Sequence, residues 1–83
     1  MILSTVRIED FDRFISTFST KGAEKRMQHG SKGSHVFRDP IEGDRVWIVF
    51  DWTTDEYESF VSDPEMAAVF QQAGLKGPPV AAE

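Results

Sequence analysis

Residues 2–8, ILSTVRI, form a β-rich run closed by the acidic pair Glu9 and Asp10, and they predict a strand. From Asp10 the hydrophobic period lengthens. Phe11, Phe14, Ile15 and Phe18 follow the i, i+3, i+4, i+7 spacing of an amphipathic helix, with Gly30 as its stop. The runs SHVFRD (34–39) and DRVWIVFDW (44–52) flank Pro40-Ile41-Glu42-Gly43 and predict an antiparallel hairpin. A four-residue turn over 40–43 pairs Phe37 with Val46 and Val36 with Trp47. Thr53 and Glu56 have capping-box spacing, and Trp52 and Tyr57 stand at the N′ and N4 positions of a hydrophobic staple, so a second helix starts there. Pro64 interrupts it, and with Ser62 or Asp63 as a new cap the helix restarts. Met66, Val69, Phe70 and Ala73 supply the restarted face, and Gly74-Leu75 fits a Schellman ending. The remaining KGPPVAAE is short and Pro-rich, suited only to an edge strand or an arm.

The order is strand, helix, strand, strand, helix, short strand, within one expected domain. That is the split β-α-β pattern of an α+β, ferredoxin-like fold, with both helices on one face of a four-stranded antiparallel sheet. The other face is then open. Yet Val46, Trp47, Ile48, Val49 and Phe50 are apolar without a break, so both faces of this strand ask to be covered. A chain of 83 residues removes only about 60% of its surface from water on folding, and it has no Cys to cross-link it. Self-association through the open sheet face is the device left, and a homodimer is the expectation.

The stretches SKGSHVFRD, VWIVFDWTTDEYESF, SDPEMAAVFQQAGL and GPPV together resemble the dimeric α+β barrel superfamily, the group containing antibiotic-biosynthesis-monooxygenase-like proteins. The likeness lies in element order, the Trp before the second long helix, the acidic-Pro break and the Gly-Leu ending. These are marks of fold rather than of catalysis. The resemblance implies that two sheet faces meet as a barrel and that a small-molecule ligand is held without a cofactor. The quinol-oxidising monooxygenases of the group typically pair a Trp with an Asn, and acylphosphatases on a related fold pair Arg with Asn. This chain contains no Asn, so neither pair is available to it.

Charge narrows the partners. The formal net charge is −5, and beyond Arg45 the only basic side chain is Lys76, which opposes nucleic-acid binding. Lys32-Gly33-Ser34-His35-Val36-Phe37 echoes an RNA-recognition signature, but Ser34 and Val36 stand where stacking aromatics belong. Much of the charge follows helix dipoles: Glu9, Asp10 and Asp12 open the first helix and Lys21, Lys25 and Arg26 lie toward its end. The opening MILSTVRIED reaches Arg7 too soon for a signal-peptide core, and no run is long enough to span a membrane, so a cytoplasmic protein is expected.

Candidate chemistry rests on few residues. On a helical wheel Gly22, Lys25, Arg26 and His29 fall within about 60° of the Phe stripe, so a continuous first helix turns polar on its buried side. That predicts a polar-ended cavity between helix and sheet. Alternatively Gly22 breaks the helix, and Ala23 and Met27 turn inward. In the register above His35 shares a face with Ile48 and Phe50, so His29 and His35 become candidate acid–base groups in one cavity, with Arg26, Trp52 and Tyr57 as candidate substrate-binding residues. The alternative is structural: a dipole-stabilised helix-end His, a partly buried His and a staple Trp. No His-x-x-x-His or His-x-His spacing suggests a metal, and no Gly-x-Ser-x-Gly suggests a serine hydrolase. Two function classes follow. One is a homodimer acting as a cofactor-independent monooxygenase, cyclase or isomerase on an aromatic or carbonyl compound. The other is a noncatalytic dimeric binding or stress-related module.

Overall fold

A computed structural model describes residues 1–82. The chain runs β1 (Ile2–Arg7), α1 (Phe11–Ser19), α2 (Lys21–Gln28), β2 (Ser34–Arg38), β3 (Arg45–Phe50), α3 (Thr54–Ser62), α4 (Met66–Ala73) and β4 (Val80–Ala82). The sheet order is β2-β3-β1-β4 with every neighbouring pair antiparallel, the ferredoxin-like arrangement expected, and the Pro-rich tail is its edge strand. Helices cover the face made by Ile2, Ser4 and Val6 of β1 and Val46, Ile48 and Phe50 of β3, all buried. The opposite face carries Leu3, Phe37, Trp47 and Val49, and Phe37 keeps 56% of its surface.

Local signals place the helix ends. Asp10 caps α1 by accepting from the Arg13 amide. Thr53 and Glu56 make both bonds of the capping box of α3, at 3.2 and 2.8 Å. After the Pro64 break the Asp63 carboxylate accepts from the Glu65 amide, 2.9 Å. Gly74, at φ +77°, closes α4, with the Leu75 amide reaching back to the Phe70 carbonyl at 3.1 Å. Gly30, at φ +90°, ends α2 in the same way, through Ser31 to the Arg26 carbonyl at 3.0 Å.

Two expectations need correction. The first long helix is neither continuous nor broken at Gly22: it breaks at Thr20, whose hydroxyl donates to the Ser16 carbonyl at 2.8 Å and competes with the helical ladder. Beyond the break Gly22 and Arg26 face inward and Met27 faces water, 75% exposed, so the polar turn of the buried stripe survives. The second correction is the hairpin register. Phe37 pairs with Trp47 and Arg38 with Val46, one residue away from the expected pairing. The Asp39 amide bonds the Arg45 carbonyl at 3.0 Å, so the connection is 40–44, five residues long. Asp39 holds it: its carboxylate accepts from the Ile41 and Glu42 amides and from Trp47 Nε1 at 2.8–2.9 Å.

Candidate functional site: a cavity between helices and sheet

The register change decides the fate of the histidine pair. A one-residue slip moves every side chain of a strand to the other face, so His35 sits opposite Val49 on the open side of the sheet, exposed. His29 lies on the helix side, at the end of α2, where Nε2 meets the Asp63 carboxylate at 2.9 Å and Nδ1 meets Ser59 Oγ at 3.0 Å. The expected shared cavity for His29 and His35 is therefore absent. The same Asp63 oxygen takes Lys25 Nζ at 2.8 Å, and Lys25 foremost, with His29, holds that carboxyl well below the usual carboxylate range. This cluster ties α2 to the junction of α3 and α4. It places serine, imidazole and carboxylate in relay order, but none of the three lines the cavity below.

Under the sheet lies a cavity of ≈ 50 Å³, walled by Phe14 and Phe18 of α1, Phe60 of α3 and Val69 and Phe70 of α4. Its polar groups come from four elements: Ser4, Thr17, Arg26 and Tyr57. Ser4 Oγ and Tyr57 Oη are 2.9 Å apart and buried. Burial pushes the Tyr57 phenol up from its usual value, against the opposing bond to Ser4, so it stays a hydroxyl across neutral pH. In that pair one O–H is used mutually and the other is free to donate. Arg26, 8% exposed, stacks its guanidinium carbon 3.7 Å from the centre of the Phe18 ring. Burial lowers its pKa to about 10.

Of the residues singled out from sequence, Arg26 and Tyr57 meet at this cavity. Trp52 does not line it. It is buried behind Phe50, ring centres 4.9 Å apart, and its Nε1–H has no hydrogen-bond partner among the described residues. Ser4 was not singled out, although its place between Ile2 and Val6 at strand period puts it on the core face. No helix among the described residues is long and apolar enough to cross a membrane.

The sheet order, the one-sided helical layer and the cavity between them define the class: an α+β, ferredoxin-like domain with one sheet face uncovered in the single chain. No sequence-family description and no curated protein matches the chain. Solved structures do, several of them described as antibiotic biosynthesis monooxygenases. SnoaB, a cofactor-independent oxygenase from Streptomyces nogalater, shares the fold at a TM-score of 0.70 and 13% identity, over 99% of this chain and 88% of its own. A Caulobacter crescentus protein assigned to the antibiotic biosynthesis monooxygenases does so at 0.69 and 14%, over 98% and 82%. A further antibiotic biosynthesis monooxygenase does so at 0.58 and 9%, over 98% and 90%. At these identities the likeness is one of fold, and at that level the resemblance read from the sequence holds.

Proposed function

We propose that the chain forms a homodimer through its open sheet face and binds a small, largely apolar carbonyl or aromatic compound in the helix–sheet cavity, acting on it as a cofactor-independent oxygenase. The observation that carries this reading is the buried Ser4–Tyr57 pair, 2.9 Å apart, set in an otherwise apolar wall that also holds Arg26. A ligand carbonyl placed there receives one free O–H in a space where water does not compete, and the developing negative charge of an enolate is stabilised. In such a reaction O2 is the oxidant, and the protein's part is to hold the substrate oxygen as it gains charge. The structural likeness to SnoaB supports the reaction class.

One feature favours the noncatalytic reading. The titratable side chains lining the cavity are Arg26 and Tyr57, and neither is a base near neutral pH. A substrate that enolises unaided fits the oxygenase, whereas a stable ligand fits a binding module. Native mass spectrometry for copurified ligand, followed by oxygen uptake with a panel of quinols, separates the two. With Tyr57→Phe an oxygenase should lose about 10²–10³-fold in turnover, the loss seen when one oxyanion donor is removed. A binding module should lose about 0.5–1.5 kcal/mol of affinity and show no oxygen uptake in either form.

A further inference from the structure

Arg26 is out of keeping with the other half-buried cations. Lys25 is held by Asp63 and Glu65, and Arg45 by Glu42. The Arg26 guanidinium, more deeply placed, has neither a hydrogen bond nor a nearby carboxylate among the described residues to offset its desolvation. The fold makes room for it. A Cβ on Gly22 would stand 3.1 Å from Nη1, so a side chain at that position would crowd the fork. The guanidinium nitrogens keep slight contact with water and find no acceptor among the described residues, and a charge so far desolvated is costly unless something completes it.

We infer that Arg26 anchors an anion subsite, and that the cavity's ligand is a small apolar carboxylate whose carboxyl group pairs with the guanidinium fork while its hydrocarbon body lies among Phe14, Phe18, Val69 and Phe70. This rests on the small-molecule reading above and names its substrate class. Planarity favours a carboxylate, which meets the fork with two parallel bonds. The cavity wall carries a single cation, which suits a monoanion rather than a phosphate dianion. At ≈ 50 Å³ the cavity takes a carboxyl group and a short branch. A ring enters by displacing Phe18, Val69 and Phe70, each only partly buried. On the outer side Arg26 also borders a shallow cleft of ≈ 330 Å³ shared with Ser31, Lys32 and Ser34.

The test is an amide and side-chain NMR titration of the intact protein with isobutyrate and benzoate, each against its neutral amide, isobutyramide and benzamide. Both acids should shift the Arg26 Nε–H, Gly22 and Tyr57 signals and bind at least about tenfold tighter than the amides, one charge-assisted bond's worth of preference. Arg26→Gln should level each pair, and Arg26→Lys should recover part of the preference. The wild-type protein gives a second readout: benzoate binding should fade as the ligand protonates below about pH 4. Equal binding of acids and amides would overturn the anion subsite and leave the cavity reading standing. Silence of the Gly22 and Tyr57 signals with all four compounds would overturn both. Acid-induced shifts confined to Ser31, Lys32 and Ser34 would move the anion to the outer cleft and overturn the inference.

Discussion

A single carboxylate, Asp39, sets the hairpin. The Glu42 amide first, then the Trp47 indole and the Ile41 amide, hold its pKa down at about 2. Because the folded value is depressed, the unfolded chain takes up the proton first as pH falls. The contribution of Asp39 is whole above about pH 4 and is lost on the way down to about pH 2. The Trp47 Nε1–H resonance should therefore move with a midpoint far below that of an ordinary aspartate and lose that transition in Asp39→Asn. A midpoint near pH 4 would mean that the amide and indole bonds to Asp39 are not made together. Arg26 invites the opposite experiment. Replacing it with Met removes a desolvated charge and keeps the stem, so unfolding by urea should show stability unchanged or raised, as for buried charges exchanged for apolar isosteres. A loss above about 1 kcal/mol would make the Phe18 stacking a structural requirement.

At the scale of elements, two substitutions test whether the helix ends are where the caps place them. Thr53→Ala removes the acceptor for the Glu56 amide and should cost about 0.5–2 kcal/mol in denaturant unfolding. Gly30→Ala should cost more than a surface substitution does, because φ is +90° there and the new Cβ would run into the Glu56 carboxylate. An unchanged midpoint in either variant would relocate the corresponding helix end. These ends were legible in the sequence because a cap is a local device, readable from Thr53, Glu56, Gly30 and Gly74 themselves. Element order was legible for a like reason, since the change of period at Asp10 needs only near neighbours. The register of β2 against β3 was not, because it turns on whether the connection holds four residues or five. Asp39 decides that through bonds to Trp47 eight positions away. The site inherited that error: His35 left the helix side while Arg26, placed by helical period, and Tyr57, placed by the staple at the start of α3, stayed in the cavity. The Lys25–Asp63 and His29–Asp63 contacts join residues more than thirty positions apart and leave no local trace.

The whole molecule is one sheet under one layer of helices, and its shortest extent, 18 Å, leaves no room for a third layer. The unbroken apolar run of β3 is thus half answered within the chain: Val46, Ile48 and Phe50 meet the helices, whereas Trp47 and Val49 look outward beside Leu3 and Phe37. Burying such side chains is worth about 1.5–3 kcal/mol each, comparable with a third of the total stability of a domain this size. A second copy laying the same face against it recovers that free energy on both sides at once, because a two-fold interface is self-complementary. Sedimentation at micromolar concentration should then give a dimer, and the thermal midpoint should rise with protein concentration. Trp47→Glu alone is an ambiguous test, since it also removes the indole bond to Asp39 that sets the hairpin. Phe37→Glu touches no such bond and lies 56% exposed in the single chain, so it should leave a folded monomer with native-like amide dispersion. A wild-type monomer whose midpoint ignores dilution, or a Phe37→Glu protein that remains dimeric, would place the association surface elsewhere and leave the open face without a partner.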